Sequence, residues 1–203
     1  MSLDNISYCR YLTDISQDWR PEHWRVWNLV QAIKGHECNG YAFLEVGGVR
    51  KRVDSKNPQV AIDWFADRVV SETKFGSGNY ILCPIPGSQC TPTSTDITRT
   101  VVLAESLSKR LPQLKVWPNL KFKKPMQRKI RDEEVLFNNL VCTASVPSGY
   151  IILLDDVCTT GAHARAAQRR LQGTKGNQMC AMSVARTMLN RDEDVFGFRL
   201  DHL

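Results

Sequence analysis

Apolar positions along this chain recur with two different periods, and the first third of the sequence reads mainly as helix. Trp24, Trp27, Leu29, Val30 and Ile33 supply one apolar side over 22–34, with Pro21 just ahead and Gly35 just after. The spacing predicts a helix that Gly35 ends. Residues 41–46 and 49–53 flank Gly47-Gly48, a pair free to take positive φ, which predicts a β-hairpin. Val60, Ile62, Trp64, Phe65, Val69 and Val70 follow Pro58 at near-helical spacing and predict a second helix over 58–73, broken by Gly76-Ser77-Gly78-Asn79.

Beyond that break the pattern becomes strand, loop, helix. A short apolar strand is expected at 80–83, a proline-stiffened loop at 84–88 and a helix over 96–111 before Pro112. A short strand is expected at 114–117 and a helical segment near 132–140. Residues 150–154, Tyr-Ile-Ile-Leu-Leu, are apolar on both faces, as a central parallel strand must be. A helix over 161–171 stopped by Gly173 and a strand at 179–184 complete the series, with Val184-Ala185-Arg186 fitting a final core strand. Parallel α/β units have this order. The fold class expected is therefore α/β: an open, mainly parallel, twisted sheet flanked by helices over 79–203, with a small helical and hairpin lobe over 1–78.

At 203 residues, 42% hydrophobic and 24% charged, the chain suits one core with an appended lobe and excludes a disordered or fibrous protein. No apolar run reaches the roughly 18 residues of a membrane span, and the start Met-Ser-Leu-Asp-Asn lacks the features of a signal peptide, so a cytoplasmic protein without a membrane partner is expected. Seven cysteines with no Cys-x-x-Cys pair argue for reduced thiols. The net charge of +6 suits a polyanion, either a phosphate-rich small molecule or a nucleic acid. The densest basic run, Lys121, Lys123, Lys124, Arg128, Lys129 and Arg131, reads as an exposed loop. It is a solvated surface, a phosphate-contacting loop or a nucleic-acid patch.

The chemistry concentrates where the apolar strand ends, at Asp155-Asp156-Val157-Cys158-Thr159-Thr160-Gly161-Ala162. A tight Thr-Thr-Gly turn into a helix leaves backbone N–H groups pointing outward, and the helix dipole and two hydroxyls add to them, so the turn can cradle a phosphate without a lysine. The two carboxylates would repel that phosphate and suit hydroxyls or a hydrated magnesium ion beside it. A strand ending in a solvated acidic pair, with a threonine that only caps the helix, is the plainer reading. Cys158 has no assigned base and reads as a small packing residue; His163, in the first helical turn, is exposed, packs locally, or touches phosphate or acceptor.

Residues 151–162 resemble the fingerprint for 5-phosphoribosyl-1-pyrophosphate (PRPP) of type I phosphoribosyltransferases: four apolar residues, two acidic, then Thr-Thr-Gly. Residues 81–88, Ile-Leu-Cys-Pro-Ile-Pro-Gly-Ser, are similar to that family's pyrophosphate loop. Within the family the chain resembles the ComF-like proteins associated with competence and DNA uptake, through the helix ending at Lys34-Gly35, the Pro-Ile-Pro loop, and Pro125-Met126-Gln127 with Asn138 or Asn139. The type I resemblance covers 79 to about 190 and the ComF-like one extends back to about 24.

The resemblance implies a type I phosphoribosyltransferase-like sheet and transfer of a 5-phosphoribosyl group from PRPP to a nitrogen nucleophile, with release of pyrophosphate. Asp155 and Asp156 would manage the ribose hydroxyls and Mg2+, directly or through water, and residues from Val157 and Cys158 through Thr159, Thr160, Gly161 and Ala162 would complete the PRPP site. Ile85, Pro86, Gly87 and Ser88 would receive pyrophosphate. A member of the 121–131 basic run would close over the site and exclude water. Two other functions use the same features: a sensor that binds PRPP or a nucleotide without transfer, and a DNA-handling protein. The nitrogenous acceptor and the oligomeric state, a homodimer included, stay open.

Overall fold

A computed structural model describes residues 3–14, 16, 18–95, 97–127, 130–172, 177–188 and 194–203. The expected helix start at Asp96, the expected stop at Gly173, and Arg128 and Lys129 of the basic run lie outside the described residues.

A mainly parallel, six-stranded sheet carries the site. Its strands are β1 (Asp4–Leu12), β4 (Tyr80–Pro84), β5 (Leu114–Val116), β8 (Tyr150–Cys158), β9 (Met179–Met188) and β10 (Phe196–His202). They lie in the order β10-β1-β9-β8-β4-β5. Only the β1–β10 pair is antiparallel. The sheet thus takes strands from both sides of residue 78. Helices α1 (Pro21–Lys34), α2 (Gln59–Glu72) and α3 (Arg99–Arg110) cover one face, and α4 (Glu133–Asn139) and α5 (Ala162–Gln172) the other. Alternation along β8 divides the core: Ile152 and Leu154 join the α1–α3 side, Ile151 and Leu153 the α5 side. Among the described residues no helix is long and apolar enough to cross a membrane.

The hairpin forms as its glycines require. β2 (Ala42–Val46) pairs with β3 (Val49–Val53) around Gly47 and Gly48 at φ 60° and 74°. It rests Ala42, Leu44 and Val46 inward, leaving its other face in solvent. The basic run departs from the expected loop: Lys121 belongs to a short strand, β6 (Leu120–Phe122), paired with β7 (Leu140–Cys142). Leu120 and Phe122 are buried between the sheet and α4, so two apolar residues around one lysine decide the conformation.

Gly149 sets the entrance of β8. It sits at φ 145°, and a Cβ there would lie 2.5 Å from the carbonyl oxygen of Asn79. That segment is held by the Tyr150 N–H donating to Asn79 O at 2.9 Å. Gly149→Ala is therefore expected to cost about 2 kcal/mol, which for a chain of this size lowers the melting temperature by about 4–8 °C in a calorimetric scan.

Candidate functional site

Parallel strands bring their carboxyl ends to one edge of the sheet, and the β4 and β8 exits meet there as neighbours. The Ile85 N–H donates to Leu154 O at 2.8 Å, and the Thr100 hydroxyl donates to Ile85 O at 2.8 Å. Met126 N–H donates to Ser88 O at 2.7 Å, so the 85–88 loop is braced from behind. Its outward N–H groups at Gly87, Ser88 and Gln89 donate to no acceptor among the described residues. The same holds for Thr159, Thr160, Gly161 and His163 across the turn into α5.

Of these residues, Gly87, Ser88, Gln89, Thr159 and His163 line an open cleft of about 530 Å³. Ile85, Pro86, Gly87 and Ser88 line one side, and Asp155, Asp156, Val157 and Thr159 the floor. Cys158, Gly161 and Ala162 instead line a small cavity beneath the turn, and Thr160 is exposed and lines neither. Gly161 stands at φ 78°, the positive value that lets the chain turn from β8 into the helix.

β8 continues past the expected residue 154 to Cys158, which places both carboxylates within the strand's last turns of pleat. Asp155 Oδ1 accepts the Asp156 N–H at 2.8 Å, and Asp156 Oδ1 accepts the Val157 N–H at 2.7 Å. Burial, and next the charge of Asp156, push the Asp155 carboxyl well above the usual carboxylate range; Lys34 acts in the opposite direction. Burial lowers His163 below the usual imidazole value, Asp156 opposing and Arg131 adding to that shift. The Cys158 thiol is pushed up to about 11 by burial, which disfavours a thiolate and supports the packing reading.

Several solved structures are similar to the chain. An orotate phosphoribosyltransferase from Aeropyrum pernix is 14% identical with a TM-score of 0.44, over 78% of this chain and 80% of its own. An adenine phosphoribosyltransferase is 15% identical with a TM-score of 0.41, over 78% and 89%. A UMP synthase from Leishmania donovani is 13% identical with a TM-score of 0.35, over 78% of this chain and 30% of its own. No protein-family model matches the sequence. No curated protein matches it either.

Three cations from separated parts of the sequence complete the cleft, Lys34 from the end of α1, Arg99 from the start of α3, and Arg131, and His36 lies beside them. Gly35, at φ 69°, ends α1 with its N–H on Ala32 O, while the His36 N–H reaches Gln31 O at 2.9 Å; this fixes where Lys34 and His36 leave the helix. A Cβ on Gly35 would lie 2.7 Å from Arg99 Cζ, so the missing side chain makes room for that guanidinium. Sequence reading passed over Arg99, although a cation in the first turn of a helix opposes the helix dipole and is itself a signal. Of the basic run, Arg131 reaches the cleft; Lys123 Nζ donates to Asn138 O at 2.7 Å and Lys121 Nζ approaches Cys90 Sγ at 3.1 Å.

β1 adds a polar row behind Asp155. Ser7 is in register with Ser183, and Ser183 with Asp155. Asn5, 1% exposed, lines the small cavity of about 20 Å³ together with Asp155, and its Nδ2 has no hydrogen-bond partner among the described residues. No sequence signal marked Asn5, since an isolated Asn in a mixed strand carries no period.

Proposed function

We propose that this cleft binds PRPP with magnesium and that the chain transfers the 5-phosphoribosyl group to a nitrogen nucleophile. The observation that carries the reading is the meeting, in one cleft, of residues whose backbone amides are free, Gly87, Ser88 and Gln89 from one loop and Thr159 and His163 from the other, with the adjacent carboxylates of Asp155 and Asp156. The fingerprint at 151–162 and the three cations on the rim support it. An anion needs donors and positive potential, whereas a diol needs acceptors; PRPP presents both kinds of group about one sugar ring apart.

In this reading the amides of Thr159, Thr160, Gly161 and His163 hold the 5-phosphate, and Asp155 and Asp156 accept from the ribose hydroxyls. The amides of Gly87, Ser88 and Gln89, with Lys34, Arg99 and Arg131 nearby, receive pyrophosphate. The nucleophile's lone pair forms the new bond at C1 as the bond to pyrophosphate oxygen breaks, the electron pair leaving with pyrophosphate. The carboxylates then face the positive charge that develops on the ribose ring. Two hard carboxylates fit Mg2+, and no group of three or more His, Cys, Asp or Glu able to hold a metal occurs among the described residues, so PRPP oxygens and water would supply its other ligands. When bound, the metal neutralises charge on the departing pyrophosphate. Ile97, 69% exposed, and Ile130 offer the acceptor an apolar lip. The Pro-Ile-Pro loop and the Lys34-Gly35 helix end support a ComF-like relationship within this reading.

The test is pyrophosphate release from PRPP with a panel of bases, amides and amines. Release with one acceptor class supports transfer; magnesium-dependent PRPP binding without release with any acceptor identifies a sensor; no PRPP binding overturns the proposal. The pyrophosphate loop has its own check. Gly87 has no positive φ, and a Cβ there would meet only Thr98 Cγ2 at 3.8 Å. Gly87→Val is expected to change stability by under about 0.5 kcal/mol while weakening PRPP about tenfold, read by calorimetric titration.

Binding should also depend on pH. Because the Asp155 carboxyl is raised, the free protein keeps its proton at a higher pH than an ordinary carboxylate does. A ligand that requires the ionised form must displace that proton, so PRPP–magnesium affinity rises with pH through the Asp155 titration, by at most about tenfold per unit for a single group. Titrations from the ordinary carboxylate range, about pH 4, upward, run beside Asp155→Asn, read the slope; a profile no steeper than that of the variant would contradict the role of Asp155.

A further inference from the structure

A second concave surface lies on the amino-terminal elements, away from the PRPP cleft. Trp19, Trp24, Arg25, Tyr41, Phe43 and Arg50 line a groove of about 400 Å³. Lys34 is ten residues beyond Trp24 along α1, which sets the groove about 15 Å from the cleft. Trp24, Tyr41 and Phe43 are 40%, 55% and 38% exposed, so each offers part of its ring to solvent.

The hairpin explains only part of this. With Ala42, Leu44 and Val46 turned inward, Tyr41, Phe43 and Glu45 share the outer face with Arg50 and Arg52. Arg50 lies over the Phe43 ring at 4.3 Å and Arg52 over Tyr41 at 4.5 Å. Such pairs stabilise a hairpin. They do not account for Trp19 and Trp24, whose rings stand 4.6 Å apart on the opposite wall. Arg52 is paired with Asp54 at 2.8 Å, while Arg25 and Arg50 pair with no carboxylate among the described residues.

Aromatic walls with two uncompensated guanidiniums select a flat, anionic ligand. We propose that this groove is a second binding site for a free nucleoside phosphate, the base stacking against Trp24 and Phe43 and the phosphate meeting Arg25 and Arg50. The groove has the size of a small-molecule site. Two free cations match one or two phosphates and fall short of the basic track that a nucleic-acid strand follows. The inference is independent of the PRPP reading, because it uses none of the cleft residues.

Calorimetric titration with AMP tests it, run on the protein saturated with PRPP and magnesium and again on a protein with Asp155→Asn and Asp156→Asn. Saturable AMP binding in both is expected, with ribose 5-phosphate at least about tenfold weaker because it cannot stack. Phe43→Ser with Arg50→Ala should weaken AMP about tenfold or more and leave PRPP binding unchanged, while loss of the exposed Arg50–Phe43 pair lowers the melting temperature by no more than about 1–4 °C. The proposal is overturned if AMP does not bind, if PRPP displaces it, if ribose 5-phosphate binds equally well, or if the groove variant binds AMP as the parent does. Tighter binding of a single-stranded oligonucleotide, with a steep salt dependence, would also overturn it in favour of a strand as ligand.

Discussion

Replacing Asp155 and Asp156 together by asparagine is expected to abolish PRPP binding and at the same time to raise the melting temperature. Each carboxylate accepting from a ribose hydroxyl or holding magnesium contributes a charge-assisted interaction of about 1.5–3 kcal/mol, so losing both weakens binding by at least about 100-fold. Stability moves the other way. Burial and the neighbouring like charge raise the Asp155 carboxyl above its unfolded value. A group raised in this direction favours folding below the unfolded titration, and that contribution is lost as pH rises through the folded one. At neutral pH Asp155 therefore opposes folding. Asparagine keeps the shape and can still accept the Asp156 and Val157 amides now held at 2.8 and 2.7 Å. A gain of about 1 kcal/mol, or about 2–4 °C, is expected at pH 7.5, shrinking toward pH 4. Thermal scans at several pH values, beside PRPP titrations, read both effects; a variant that loses binding by unfolding would show a lower melting temperature instead.

Gly161→Val is the second large effect. A β-branched residue at φ 78° is strained. Its Cβ would also lie 3.0 Å from Arg165 Nη1 and 3.0 Å from Leu203 Cδ1. Arg165 cannot move freely, since it donates to Thr160 O at 3.0 Å and to Glu133 Oε2 at 2.9 Å. The turn must therefore distort, and with it the row of amides assigned to the 5-phosphate. About 100-fold weaker PRPP binding and about 3 kcal/mol lower stability are expected from strain and contact together. Binding of AMP at the aromatic groove should survive, which separates local damage to the turn from global unfolding.

The readable parts of this chain were those in which one short segment carries the whole signal. β8 is apolar on both faces and its exit holds acidic, hydroxyl and glycine residues in immediate succession. The strand, the turn and α5 were accordingly visible together, as was the hairpin at Gly47-Gly48. β1 was missed because Asn5, Ser7 and Arg10 interrupt it, although six of its nine residues are buried. Polar groups that strands share with one another, as Asn5 and Ser183 do, leave no alternation to read. β10 lies at the sheet edge and is mostly exposed, while β6 and β7 have three residues each, too few for a period. The cationic rim was hidden for a different reason. Lys34, Arg99 and Arg131 are distant in sequence and meet only after α1, α3 and the loop before α4 are packed.

The most direct measurement is amide NMR of the protein titrated with PRPP and magnesium. The account predicts saturable shifts centred on Gly87, Ser88, Thr159, Thr160 and Gly161, and a comparable response at 159–161 alone when ribose 5-phosphate replaces PRPP. Shifts confined to other parts of the chain, or none at any concentration, would contradict it.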